Sequence, residues 1–135
     1  MKTTKKTASQ KYRAKIKKAR SEADEAWGKL ILTLHPICEF CEKKKSTDPH
    51  HFVPKSQSNI LRYDPKNGIG LCHAHHFLHH LGDPFIQQKI IEKRGKKWFE
   101  YIKSKRHEIM KKNINIEWYK NKTKILNDKL KKIQK

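Results

Sequence analysis

Cys38-Glu-Phe-Cys41 is answered thirty-one residues later by Cys72-His-Ala-His75, and these two doublets constrain the fold more than any other feature of the chain. A Cys-x-x-Cys turn brings two thiolates to one ion, and Zn²⁺ takes sulfur and nitrogen ligands in a tetrahedron. Cys38-x-x-Cys41 alone is also compatible with a redox pair. With Cys72 and His75 behind it, a Cys₃His zinc site is expected. His73 competes for the fourth position, but ligation by the adjacent Cys72 and His73 would be strained. The chain has three cysteines, an odd number that suits a metal site better than disulfides.

Such a site has work to do. The chain has 135 residues, 35% of them hydrophobic and 34% charged, so one domain with a small core and appendages is expected. A structural zinc contributes on the order of 10–16 kcal/mol of apparent folding free energy at neutral pH, which would offset the weak core. No secretory signal is evident, and Leu30-Ile31-Leu32 is far too short an apolar run to span a bilayer. A soluble protein of a reducing cytoplasm is expected.

The formal net charge is +20, and its placement is uneven. Residues 1–20 carry +9, residues 21–85 carry −1 and residues 86–135 carry +12. A nearly neutral, metal-rich middle between basic flanks suits a polyanion: nucleic acid first, an anionic membrane surface second.

Residues 1–20 have no apolar period and read as a flexible or weakly helical basic arm. Ser21 and Asp24 resemble a capping box, and Ala23, Trp27, Leu30, Ile31 and Leu34 recur at helical spacing up to Pro36. Trp27 reads as core, and His35 as a capping or surface residue. His50-His51-Phe52-Val53-Pro54 reads as a short strand, Asp64–Gly68 as a turn and Ile69–Cys72 as the second strand of a hairpin-like pair. His75–Leu81 reads as a helix closed by Gly82, with His76 and His80 on one face. Another helix begins after Asp83 with Pro84 at its first position and breaks at Gly95. Trp98, Phe99, Ile102, Ile109 and Met110 suggest the next helix, and Trp118 to Ile133 a lysine-rich last one. Their aromatic residues read as packing, and His107 as a surface residue.

His50-His51, Asn67 and His76-x-x-x-His80, in that order and spacing, resemble the motif of the HNH (ββα-metal) endonuclease family. The resemblance covers about Cys38–Pro84. A narrower one, over Leu61-Arg-Tyr-Asp-Pro-Lys-Asn67-Gly-Ile-Gly-Leu-Cys72 and the basic helices after it, is to the phage lambda NinG (Rap) recombination protein family. Relatives there usually carry a fourth Cys where this chain has His75. The resemblance implies an α+β fold: a small zinc-stabilised ββα core with a helix over residues 21–84, a basic flexible arm over 1–20, and a basic helical extension over 85–135 for DNA binding or dimerisation. It also implies a DNA endonuclease, acting on branched or weakly specified DNA in a bacterial or phage-infected cell. Its roles fall on His51 as general base, on Asn67 as the residue that holds the His51 segment in register, and on His50, His76 and His80 as ligands of one divalent ion, with Cys38, Cys41, Cys72 and His75 on structural zinc. His79 is an alternative to His80, since His75 and His79 are also four apart. Imidazole ligands favour Mn²⁺, Ni²⁺ or Zn²⁺ over Mg²⁺, and Asp48 is a further candidate oxygen ligand.

Two other readings compete. A zinc-finger nucleic-acid binder would not depend on His51 and would hold no second metal. A basic structural or ribosome-associated protein would bind RNA and hydrolyse nothing.

Overall fold

The computed structural model describes residues 4–134. They form a mixed α+β fold, mostly helical, with one small two-stranded sheet among them. The longest element, α1, spans Ala8–Leu34, and its start corrects the expectation of a flexible arm over residues 1–20 and of a helix start at Ser21. Thr7 and Gln10 form the capping box: Gln10 N–H donates to Thr7 Oγ1 at 3.1 Å and Thr7 N–H to Gln10 Oε1 at 2.8 Å. Ser21 lies inside the helix. The first three residues of the expected arm lie outside the described residues. The basic first half of α1 is anchored at its end by Ile16 and Ala19, which join the core that α1 makes with the last helix.

Strand β1 (Asp48–His51) pairs antiparallel with β2 (Gly68–Leu71), in the register Asp48–Leu71, Pro49–Gly70, His50–Ile69 and His51–Gly68. The strand expected to reach Pro54 stops at His51. The physical reason is Asn67, whose side-chain amide takes over both backbone groups of Val53 and draws the chain out of the ladder. Between the strands lie a short helix α2 (Asn59–Arg62) and a 3-10 turn at Pro65–Asn67. Gly68 and Gly70 let α1 approach β2. A Cβ on Gly68 would run into the Ile31 side chain, and one on Gly70 would lie 2.5 Å from the His35 carbonyl.

Helix α3 (His73–His80) follows β2 and begins earlier than expected. Asp48 explains the start, because its carboxylate accepts hydrogen bonds from His73 and His76 in the first turn, where the helix dipole favours an anion. Asp83 caps α4 (Pro84–Arg94) through the Phe85 N–H, and Gly95 separates it from α5 (Lys96–Arg106). Helix α5 ends before Ile109 and Met110, which were expected within it: Ile109 is exposed, while Met110 packs onto the core between α1 and α6 (Ile116–Gln134). Asn115 caps α6 by accepting from the Trp118 N–H.

Two hydrophobic clusters result. One joins Ala23, Trp27, Leu30 and Ile31 of α1 to Trp118, Tyr119 and Leu126 of α6. The other gathers Leu61, Ile69, Leu71, Ile90 and Ile102 beneath the cysteines. Residues 85–134 are therefore mostly helical, and their helices close both cores. Among the described residues no helix is long and apolar enough to cross a membrane.

Candidate metal centres

Cys38, Cys41, Cys72 and His75 meet with their ligand atoms within 4.8 Å of one another. The first two sit on a tight loop in which Cys38 N–H donates to the Lys44 carbonyl and Glu42 N–H to the Cys38 carbonyl, both at 2.8 Å. Cys72 precedes α3 and His75 lies in its first turn. His75 Nδ1 is 3.1 Å from Cys72 Sγ and 3.6 Å from Cys38 Sγ. Bonds of roughly 2.3 Å to sulfur and 2.0 Å to nitrogen in a tetrahedron bring ligand atoms about 3.5 Å apart, so the four residues fit a zinc ion. The backbone N–H groups of Lys44 and Lys43 hold the Cys41 thiol down at about 6, which favours the thiolate a metal needs.

A second group, His50, His76 and His80, also lies within 4.8 Å. His50 comes from β1, and the other two project from one face of α3. The rings meet edge to face, His50 lying 4.9 Å from His76 and 5.1 Å from His80. Burial, then the neighbouring histidines, pushes His50 down to about 3 and so favours the neutral, ligating form. His79 is not one of this group's three residues, although its ring packs on His50 at 4.2 Å and its Nε2 is buried without a hydrogen-bond partner among the described residues.

Asp48, weighed from the sequence as an oxygen ligand, instead stands behind His76. His76 Nδ1 donates to Asp48 Oδ2 at 2.8 Å, which leaves His76 Nε2 as the free ligand atom and fixes the ring. Burial would raise the Asp48 carboxyl, but hydrogen bonds from Thr47 and His73 and the neighbouring His76 hold it below its usual value.

His51 projects from the opposite side of β1, as strand geometry requires of neighbours. Its ring stacks on Trp27 at 3.8 Å with the planes 5° apart. Its Nε2 is 2.8 Å from the Arg62 carbonyl oxygen, which can only accept. Nε2 therefore carries the proton and the lone pair sits on Nδ1. Burial lowers His51 to about 4, so it is neutral at pH 7. The Arg62 carbonyl is held in turn, because the Arg62 guanidinium pairs with Asp24 at 2.9 Å and the Tyr63 hydroxyl donates to Asp24 at 2.7 Å. His50, His51, His76 and His80 all line one cavity of about 470 Å³, together with Asp24, Trp27 and Lys55.

Asn67 is fully buried and does not line the histidine cavity. Its Oδ1 accepts from Val53 N–H at 2.8 Å, and its Nδ2 donates to the carbonyls of Val53 at 3.0 Å and Leu61 at 3.2 Å. It ties the chain after His51 to the residue before Arg62.

Sequence reading missed the pair Glu39 and Arg94. Glu39, 3% exposed, takes the Arg94 guanidinium on both oxygens at 2.8 and 2.9 Å and also accepts from Gly70 N–H. Arg94 reaches the carbonyls of Gly68 and Lys66 as well. This pair locks α4, the cysteine loop and β2 together. An arginine in a lysine-rich helix carries no signal of that burial. The stacking of Trp27 on His51 was equally hidden, since the helical period marks Trp27 only as core.

Compared with known protein families, with curated proteins and with solved structures, the chain matches none.

Proposed function

We propose that the protein is a metal-dependent endonuclease of the HNH (ββα-metal) type, hydrolysing DNA phosphodiester bonds to leave 5′-phosphate and 3′-hydroxyl ends. The observation that carries this reading is the split of two adjacent histidines. His50 joins His76 and His80 as a ligand group, while His51 stands across the strand as a neutral imidazole with its lone pair on Nδ1, in the same cavity.

A divalent ion bound by His50, His76 and His80 would supply Lewis acidity at the phosphate and at the leaving 3′ oxygen. The chain's own residues do the rest. His51 Nδ1 takes a proton from the attacking water as its oxygen bonds to phosphorus, and the bond from phosphorus to the 3′ oxygen breaks. Arg62, through its carbonyl, keeps the proton on Nε2 and so keeps Nδ1 basic. Trp27 holds the ring plane. Asp48 keeps Nε2 of His76 turned toward the ion. Asn67 acts as a positioning residue and does not touch substrate. The basic residues of α1 and α6 suit phosphate contacts, which fix position rather than sequence. A recombination role on branched DNA, of the phage type, belongs to the same proposal.

The test is cleavage of a linear duplex and a matched four-way junction by wild type and His51→Ala, with Mg²⁺, Mn²⁺, Ni²⁺ or Zn²⁺. Wild type is expected to cut, and His51→Ala to be folded but slower by about 10²–10⁴-fold. Full activity in His51→Ala would sink the assignment. Binding without cutting by either protein, under every metal, would leave a zinc-stabilised nucleic-acid-binding module.

A further inference from the structure

Beyond the histidine cavity lies a second cleft of about 320 Å³, between the Ile60–Lys66 segment, α5 and α6. Lys66, Lys122 and Lys129 line it, along with the rings of Tyr63 and Tyr101. The Lys66 ammonium lies over the Tyr101 ring at 4.3 Å, and that of Lys122 over Trp118 at 5.5 Å. One carboxylate, Asp64, reaches this cleft, and its oxygens are already engaged. Tyr101 O–H donates to Oδ2 at 2.5 Å and Lys66 N–H to Oδ1 at 2.9 Å. Among the described residues Lys66, Lys112, Lys122 and Lys129 form no ion pair. Lys122 is half-buried. Its burial first, and the charges of Lys112 and Lys129 with it, outweigh Asp64 and hold it below the ordinary lysine value. Like charges gathered at a partly desolvated point are unfavourable in the free protein, and an anion relieves them.

The cleft adjoins the histidine cavity through one short segment. Arg62 gives its carbonyl to His51, and the next two residues, Tyr63 and Asp64, line the cleft. Trp27 of the histidine cavity links to the cleft's Asp64, stacking on His51 while its Nε1 donates to the Asp64 carbonyl at 3.3 Å.

We infer that the Lys66–Lys122–Lys129 cleft is a phosphate-binding site, which takes a backbone phosphate of the same nucleic-acid strand whose scissile bond lies at His50 and His51. For its ligand the inference rests on the nuclease reading. Lysines act here as point charges on a singly charged phosphodiester, and the Tyr101 ring gives the adjoining sugar or base an apolar wall.

The experiment measures duplex DNA binding by anisotropy against salt, in the zinc-loaded full chain carrying His51→Ala so that nothing is cut. Lys122→Gln with Lys129→Gln is compared with Lys131→Gln with Lys132→Gln, which removes the same charge from the exposed end of α6. The cleft pair is expected to reduce the slope of log affinity against log salt by 1 to 2, at roughly 0.9 per phosphate contact, and the end pair by less than half as much. Melting in the absence of DNA is expected to be unchanged or raised in the cleft pair, since a repulsion is removed. Equal losses in the two pairs, or an untouched slope in the cleft pair, would overturn the cleft. Wild type that cuts DNA with a cleft-independent slope overturns the cleft alone. Wild type that cuts nothing but shows the cleft-dependent slope overturns the nuclease reading and leaves the cleft as a polyanion site.

Discussion

Replacing Asn67 by Ala should destabilise this domain even though the side chain does not line the histidine cavity. The side chain is 0% exposed and makes three hydrogen bonds, to Val53 N–H, Val53 C=O and Leu61 C=O. Among the described residues, alanine leaves Val53 N–H and Val53 C=O without partners, whereas the Leu61 carbonyl still accepts from Asp64 N–H at 3.2 Å. Each buried group so stranded costs about 1–3 kcal/mol. Val53 is partly accessible, so water recovers some of that cost. A loss of about 2–4 kcal/mol follows, against a total stability of about 5–15 kcal/mol for a domain. Asn67→Asp discriminates further. The carboxylate still accepts from Val53 N–H but turns its other oxygen on two carbonyls, so it should be no better than alanine.

The assay is urea unfolding at a fixed, saturating free Zn²⁺ concentration, followed by fluorescence. Zinc must be held constant because any ligand of the folded state shifts the midpoint by mass action. Wild type, Asn67→Ala and Asn67→Asp are compared. A loss below about 1 kcal/mol in Asn67→Ala, in the range of an ordinary surface change, would refute the reasoning. So would an Asn67→Asp variant as stable as wild type, since it would mean that the donated bonds to Val53 and Leu61 carry nothing.

Three further outcomes are expected. Zinc removal by a chelator, or Cys38→Ser, should abolish cooperative melting near the cysteine loop and release one tightly held zinc per chain, measured by a colorimetric metal assay. Retention of the metal by Cys38→Ser would refute the four-ligand set. Arg94→Met leaves the Glu39 carboxylate buried and should cost about 3–5 kcal/mol, with much of it recovered when Glu39 is also made Leu, as read by denaturation. Tyr101, half-buried and donating to Asp64, has its phenol raised to about 12 from 10. The folded state thus keeps a proton the unfolded chain has lost, so stability is full below pH 10 and falls as pH rises from 10 to 12. Tyr101→Phe should flatten that fall.

How much of this was legible in the sequence depends on the range of each signal. The cysteines were readable because Cys38-x-x-Cys41 and Cys72-x-x-His75 are local spacings, and a tetrahedral ion demands such spacings. The caps at Asp83 and the break at Gly95 were readable for the same reason. The start of α1 is written only weakly, in Thr7-Ala-Ser-Gln10: the box is Thr7 with Gln10, and the nine basic residues of the first twenty obscured a helix whose first half has few apolar side chains. What stayed hidden depends on contacts between distant positions. Glu39 and Arg94 are 55 residues apart, and Asp48 and His76 are 28 apart. No periodicity encodes those meetings, which follow from how α4 and α3 pack.

Contacts between positions distant in sequence also set the proposed chemistry. A strand that presents His50 to one side and His51 to the other separates ligand from base with no additional element, since alternation along the strand does it. That arrangement fails unless each imidazole has the right nitrogen free, and the strand cannot choose tautomers. Asp48 makes the choice for His76, and the Arg62 carbonyl makes it for His51. Both are backed by packing: Asp48 by its place at the start of α3, and Arg62 by Asp24 on α1. Helix α1 therefore does more than cover the sheet. Through Trp27 and Asp24 it sets both the plane and the proton of His51, which ties the basic helix at one end of the chain to the one nitrogen on which the proposed hydrolysis depends.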